Sequence, residues 1–534
     1  MLKRALLAAL PLLLLLAIPV LLRPQDAPPP AGGDRLVILT PHTEAVRREF
    51  AAAFRRRYRE RHGRDITIDY RNVGGTSDIV RYIADRYEAE FRHLWHTRHP
   101  ETPWNAAIAA AFSNQRIDPA TEPDPLRRAA RAAFLDSDCG IGVDLFWGGG
   151  TYDHGKQARR GFGVDAGVRR RHPEWFRSDI LPASFGGEPF YDPAGRYYGV
   201  CLASFGICAN PDRIAEIGGD IPCTWHDLGE PRFFNTLVIA DPTKSGSANK
   251  CFESILQQCM SEAAAQHGEA EGPAIGWKNG LNLIKRIVAN ARTITDSASK
   301  VPRDIAAGDA AAGMAIDTYG LSEQDWSERI FEGAPRILYR PPKGGTAVSA
   351  DPVQLLRGAP NRAAAEEFID FLLSVEGQQL WNTRPGAPGG PERSALRRPP
   401  IRRDLYQPRY TRNFTDPDYD PYLAGADFTY RPAWTSPYFG LIRVLIRCLA
   451  LDVQQEMRAA WRAILDAGGP EQVPQAAAEF DRIPVAYEEA AAAAEALNVS
   501  ASRTMLDVID LQRRWSADAV DQYRRAARLA REKK

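Results

Sequence analysis

The chain has 534 residues, with 68 Lys and Arg against 67 Asp and Glu and a formal net charge of +1. That length allows two or three domains, and the balanced charge argues against bulk binding to nucleic acid or an acidic membrane surface. Seven cysteines (Cys139, Cys201, Cys208, Cys223, Cys251, Cys259 and Cys448) include no CxxC pair, and their odd number leaves at least one without an intrachain partner. Cys251 and Cys259 fall on one predicted helix, roughly 12 Å apart and too far to bridge; Cys201 and Cys208 fall on one predicted strand. All seven read as small buried hydrophobes.

Lys3 and Arg4 precede an unbroken apolar run at residues 5–22, then Arg23 and a Pro-rich piece ending near residue 33. A basic start followed by an apolar stretch is an export signal. Its length is at the lower edge of what crosses a bilayer, roughly 17–25 residues. No small-x-small cleavage site follows, so the segment is either a cleaved signal or a retained membrane anchor. Both readings put the body of the protein outside the cytoplasm.

Residues 35–40 (RLVILT) read as a buried strand, and Pro41-His42-Thr43 turns into a helix with Val46, Phe50, Phe54 and Tyr58 on one stripe. Residues 65–73 alternate as a second strand. Gly74-Gly75-Thr76-Ser77 opens a helix that turns Ile79, Ile83 and Tyr87 inward. Residues 90–131, rich in His, Trp and Pro, read as an insertion. VDLFWGGG, from Val143, is a strand ending in three glycines. Strand, cap-rich turn and helix thus recur three times, an α/β pattern with a mostly parallel sheet. Residues 196–214 are a long β-rich run ended by Asn210-Pro211. Residues 237–240 are a short buried strand stopped by Asp241-Pro242. Ser245-Gly246-Ser247 then opens a helix with Phe252, Ile255, Leu256 and Cys259 on one face. A helix at 280–290, a strand at 311–317, an extended run from 336 and a helix from 362, with Phe368, Phe371, Leu372 and Val375 on one face, complete this part. Past residue 399 a Tyr- and Pro-rich stretch reaches 437. Helices are expected at about 439–467, 475–497 and from 502 to the basic end.

The candidate site is the set of turns at the carboxyl ends of these strands, where ligands gather in open α/β sheets. They are His42-Thr43, Gly75-Thr76-Ser77, Gly149-Gly150-Thr151 (after Gly148) and Ser245-Gly246-Ser247, with Asp317 and Tyr319 after the strand at 311. Glycines let the backbone approach a ligand, and hydroxyls with helix N–H groups suit an anion. His93, His96 and His99 are spaced by three but lack a Cys or acidic partner, and read as a solvated stretch. Lys244 in DPTKSGS lacks the GxxxxGK[ST] spacing of a nucleotide-binding loop. No GxSxG or HExxH is present, so the common hydrolase signatures are missing.

The stretch TWHDLGEPRFFNTLVIADPTKSGSANKCFESILQQ (224–258) and the helix from 362 resemble the solute-binding proteins of bacterial ABC importers. The similar branch includes iron(III) receptors and receptors for phosphorylated solutes. The resemblance runs from about residue 35 to 399. It implies a two-lobed α/β fold, the type II periplasmic-binding-protein fold, with hinge strands and a mainly helical C-terminal extension. The implied layout is a signal or anchor with tether at 1–33, lobe 1 at 34–200 and 350–399, lobe 2 at 201–349 and the extension at 400–534. It implies an exported monomer, periplasmic or anchored to the outer face of the inner membrane. Such a protein captures a small, anionic, phosphorylated or carboxylated solute between its lobes and delivers it to an ABC permease. Neither catalysis nor a cofactor is expected. The same resemblance keeps a ferric alternative open, with His42 where a first-loop ligand of iron receptors sits, but those receptors pair adjacent tyrosines in lobe 2 and here only Tyr319 stands beside Asp317. Tyr197-Tyr198 lies at the expected hinge. Two further rivals are an exported enzyme pairing His42 with Asp144 or Asp317, and a sensor signalling through its C-terminal helices.

Overall fold

A computed structural model describes residues 33–498 and 504–532. The N-terminal signal or anchor and the first residues of the expected last helix lie outside them. Among the described residues no helix is long and apolar enough to cross a membrane.

The chain builds two sheets, one per lobe. In lobe 1, Asp34–Leu39 runs parallel to Ile66–Arg71 on one side and to Leu145–Trp147 on the other. Ser349–Leu356 then pairs antiparallel with Leu145–Trp147, Gly163–Val164 and Tyr198–Ala203. The sheet is therefore mixed where a mostly parallel one was expected. The reason is topological: Ser349–Leu356 returns from lobe 2 and enters the sheet from the opposite end. In lobe 2, Leu237–Ala240 lies parallel between Ala291–Thr295 and Ala312–Ile316. Phe205–Ala209 runs antiparallel to Ala312–Ile316 and to Leu338–Arg340. The expected single run at 196–214 is two strands in different sheets, Tyr198–Ala203 and Phe205–Ala209, broken at Ser204. Cys201 and Cys208 accordingly sit in different lobes. All seven cysteines are free, and every one except the half-buried Cys223 is buried.

The expected insertion is part of lobe 1. Its first residues continue the helix Thr76–Arg98, and Phe91, Trp95, Ile108, Phe112 and Phe134 pack into one fully buried cluster on the outer side of the sheet. Lobe 2 holds the longest helical stretch, Gly246–Asn290, broken at Gly268, whose φ of 82° leaves helical space. The two arms fold back on each other: a side chain at Gly272, Gly276 or Gly280 would overlap Ala264, Met260 or Leu256. Glycines one turn apart thus let the two helix backbones touch.

The C-terminal extension does not sit on finished lobes. Its helices Phe439–Ile446, Gln454–Asp466, Pro474–Phe480 and Met505–Glu532 share one continuous core with lobe 2. Leu445, Met457, Trp461 and Tyr523 of the extension meet Phe252, Ile255, Trp277 and Ile287 there.

Candidate functional site

A cavity of about 1850 Å³ lies between the lobes. The lobes close over it where the Gly75 loop of lobe 1 meets the Lys244 carbonyl of lobe 2; a Cβ on Gly75 would lie 3.2 Å from that oxygen. His42, Thr43, Gly75, Thr76, Gly149, Gly150, Thr151, Ser245, Gly246, Ser247 and Tyr319 all line this space. Two of the expected residues do not. Ser77 accepts a hydrogen bond from Arg443 Nη1 at 3.2 Å. Asp317 turns back to the crossover, where it accepts from the Ser204 N–H at 2.7 Å and its hydroxyl at 3.1 Å. Burial pushes the Asp317 carboxyl up to about 6 against those donors.

The turns reach the cavity because each follows the carboxyl end of a strand. Trp147 ends its strand, and Gly148 and Gly149 then take φ of 102° each. Side chains there would collide with the His42 ring and with Thr76, so the glycines let the three turns converge. The residues preceding the helices Glu44–His62, Thr76–Arg98 and Thr151–Arg160 are Thr43, Gly75 and Gly150, and none caps its helix with a side chain. At Gly75 the Asp78 carboxylate accepts from the Gly75 N–H at 3.1 Å. The Asp78 and Asp153 N–H groups donate to the Gly75 and Gly150 carbonyls at 3.0 and 3.1 Å, so only the first two N–H groups of those two helices are left for another partner. Ser245 differs: its hydroxyl accepts from the Ala248 N–H at 3.2 Å and lies 3.0 Å from the Ser247 hydroxyl.

Charge in the cavity divides into used and unused groups. Arg398 donates to Asp351 at 2.5 Å, both nearly fully buried. Lys250 of lobe 2 pairs with Glu188 of lobe 1 and, at 2.8 Å, with Glu253. Arg47, Lys156, Lys244 and Arg303 also line the space, and among the described residues none has an ion-pair partner. Burial, then Arg160, holds the Lys156 ammonium below its ordinary value. None of these six basic residues except Lys244 was singled out from the sequence; Arg47 and Lys156 lie on helices whose starts were singled out, one turn in.

His42 is packed edge-on against Trp147, with ring centroids 4.6 Å apart. Burial, against the pull of Asp351, takes its imidazole down to about 4, so it is neutral at pH 7. Its Nε2 lies 4.0 Å from Asp351 Oδ1, and neither atom has a hydrogen-bond partner. The carboxylates weighed for an acid/base pair are occupied elsewhere. Asp144 accepts from the Val37 N–H at 2.8 Å and the Asn361 N–H at 2.6 Å, and Asp317 is held at Ser204. His93 and His96 are exposed on the helix Thr76–Arg98. Among the described residues the grouped metal-ligand atoms are those of His226, Cys259 and Glu262, none of which lines the cavity; Glu262 is already hydrogen-bonded to His226 at 2.9 Å.

A sequence profile described as "Bacterial extracellular solute-binding protein" matches residues 179–422. That stretch, just under half of the chain, is what the chain shares with this family. The family is extracellular by that description, in keeping with export. An uncharacterized protein of Haemophilus influenzae is 28% identical over 240 residues, covering 44% of this chain and 59% of that protein. The phosphoglycerate transport regulatory protein PgtC of Salmonella typhimurium is 26% identical over 181 residues, covering 34% of this chain and 39% of that protein. The chain thus spans less than two thirds of either curated relative. Similar solved structures include the periplasmic binding protein AfuA from Actinobacillus pleuropneumoniae with fructose-6-phosphate bound (20% identity, 74% of this chain and 94% of that one, TM-score 0.44). Another is the apo ferric ion-binding protein A of Pasteurella haemolytica (11% identity, 78% and 97%, TM-score 0.46).

Proposed function

We propose that the protein is an extracytoplasmic receptor that captures a small phosphorylated or carboxylated organic anion between its lobes and presents it to an ABC permease. One observation carries this reading. Three helix starts, two of them (at Thr43 and Gly150) with no side chain on their N–H groups, converge on one cavity that also holds four basic side chains without ion-pair partners. Each helix start is worth roughly 0.3–1 kcal/mol toward a negative charge, and the unpaired bases Arg47, Lys156, Lys244 and Arg303 supply the larger share. The size of the space favours an organic anion over a bare inorganic one, because pockets for drug-sized ligands hold roughly 300–1,000 Å³ and this one exceeds that. The family supports binding over catalysis, and the name of the Salmonella relative supports a phosphorylated solute. Closure would follow from the solute's higher affinity for the closed form.

The test is a thermal-shift and calorimetric screen of the exported body against phosphoglycerates, sugar phosphates, inorganic phosphate, carboxylates and ferric citrate. A ligand at ~100 times its Kd adds roughly 2.7 kcal/mol of stability. Replacing Lys156 and Lys244 with Met should abolish the shift. A cooperatively folded protein that shifts with no anion would overturn the reading.

A ferric site is the second reading, favoured by the unpartnered His42 Nε2 and Asp351 Oδ1 of lobe 1 with Tyr319 of lobe 2 lining the same cavity. Against it, the Arg398 guanidinium already neutralises Asp351, and a ferric ion needs several hard oxygen donors. Uptake of ferric ion with a tyrosinate absorption band that disappears in Tyr319→Phe would favour this reading over the anion.

A further inference from the structure

We propose that the C-terminal extension is a third wall of the cleft and receives the uncharged, apolar or ring-shaped body of the solute. The inference rests on the anion reading above and names the kind of anion. The two lobes give the cavity its turns and charges. The extension gives it a surface of different character: Tyr438, Phe439, Leu441, Val444, Ala494 and Leu497 all line the same space. These residues belong to the helices Phe439–Ile446 and Ala490–Ala496 and their flanks, whose other faces are buried in the lobe 2 core. The wall is therefore held rigidly, as selective contacts require.

The wall also reaches lobe 1 beside the anion-binding turns. Phe439 meets the ring of Tyr152, the residue after Thr151, with centroids 4.8 Å apart. Arg443 donates to Ser77 in the first turn of the helix Thr76–Arg98 at 3.2 Å. Glu495, at the end of the helix Ala490–Ala496, forms an ion pair with Arg116 of lobe 1. An anionic head at the turns of Gly75 and Gly150 thus places its attached group next to Tyr438, Phe439 and Val444. A solute with no such group leaves this apolar surface facing water inside the cleft, which is unfavourable. The cleft selects for a phosphate or carboxylate that carries a ring or a hydrocarbon portion.

The experiment measures Kd by calorimetry for inorganic phosphate, glycerol 3-phosphate and phenyl phosphate with the full exported chain, Ala494→Phe and Tyr438→Ala. Thermal denaturation of each variant reports its folding. The expected result is phenyl phosphate binding at least tenfold tighter than inorganic phosphate. Ala494→Phe, which fills the space, and Tyr438→Ala, which removes a contact, should each cut that ratio severalfold while inorganic phosphate binds unchanged. Equal affinity for the three anions, or a ratio that neither folded variant moves, overturns the third wall and leaves the anion site standing. Failure of all three anions to bind overturns both.

Discussion

The two lobes solve the same packing problem in different ways. Lobe 1 closes both faces of its sheet with its own helices: Glu44–His62 and Arg362–Leu373 on one side, and the cluster around Phe91, Trp95 and Phe134 on the other. Lobe 2 closes one face with a small cluster around Val238, Val301 and Ile305. Its other face is finished by helices more than 100 residues further along the chain. A region that the sequence presents as a C-terminal extension is thus half of a core. Leu445, Ile446, Met457 and Tyr523 are each almost completely buried, and each contributes roughly 1.5–3 kcal/mol. A few such residues match the entire stability of a typical domain, about 5–15 kcal/mol.

The largest expected effect breaks that asymmetry directly. A chain ended after residue 438 should lose the cooperative unfolding of lobe 2 and keep that of lobe 1. Calorimetry would then show one transition where the full chain shows the contribution of both. Two intact transitions would mean that lobe 2 folds without the extension. The same result explains why simple deletion cannot separate a transport receptor from a sensor in this protein.

The lobes are bridged by charges of different kinds, and the next effect isolates the stronger bridge. Lys250 of lobe 2 reaches Glu188 of lobe 1 in a largely buried site at the cavity wall, with its ammonium 3.8 Å from the centre of the Tyr430 ring. Glu253 beside it accepts from the Tyr430 hydroxyl at 2.7 Å and that of Thr435 at 2.6 Å. Lys250→Met keeps the volume but leaves two buried carboxylates without a cation, a loss of about 3–5 kcal/mol. Urea denaturation should report it, and a loss under 1 kcal/mol would mean that water reaches the site.

Acid and base sharpen the contrast between the lobes. In lobe 1, burial takes His42 and His154 each down to about 4. The unfolded chain binds these protons near 6.5, so stability present above that pH is lost as pH falls from 6.5 toward 4, by about 3 kcal/mol for each ring. In lobe 2, burial brings the Lys285 ammonium down to about 7, where it donates to the carbonyls of Phe480 and, at 3.0 Å, Arg482 of the extension. The unfolded lysine holds its proton to about 10.5, so stability rises with pH through the window from 7 to 10.5 and is lost again as pH falls back through it. Between pH 7 and 8.5 the slope should be about 1.4 kcal/mol per pH unit. Lys285→Met should flatten it without altering the acid limb, while His154→Phe should soften the acid limb alone. A slope near pH 8 that survives Lys285→Met would place the titrating group elsewhere.

How much of this was legible depended on whether a signal was local. The strands at Asp34, Leu145 and Leu237 and the helices that follow them carry their own periodicity, and their turns could be named from glycines and hydroxyls. The strand Ala291–Thr295 was not anticipated: it is a short edge strand with Arg292 and Thr293 exposed, and no apolar run marks it. The break at Ser204 was hidden because both flanking strands are fully buried and read as one apolar run. Asp317 and Ser77 were read as facing the cleft because they stand beside residues that do, but side-chain direction there is decided by Ser204 and Arg443, which are distant in sequence. The basic residues of the cavity were missed for a related reason. Arginines are frequent throughout the chain, and what distinguishes Arg47 and Arg303 is that they line the cavity without an ion-pair partner, which depends on the fold.

The smallest expected effect concerns the weaker bridge. Arg443 joins the extension to lobe 1 by one hydrogen bond, to the Ser77 hydroxyl at 3.2 Å. Its Nε and Nη2 are buried without partners, so the desolvation of the guanidinium offsets much of what that bond contributes. Arg443→Gln removes the bond and the burial cost together. The net change in stability should therefore stay under about 1 kcal/mol, against the several expected for Lys250→Met. The two bridges differ because one is a largely buried ammonium held between two carboxylates, whereas the other is a single cation held over a hydroxyl. Hydrogen exchange gives the finer reading. In Arg443→Gln the amides of the helix start at Thr76 and of the helix Phe439–Ile446 should exchange faster while the rest of both lobes is unchanged. Faster exchange spread across lobe 2 would show that Arg443 supports the shared core and is more than a local tie across the cleft.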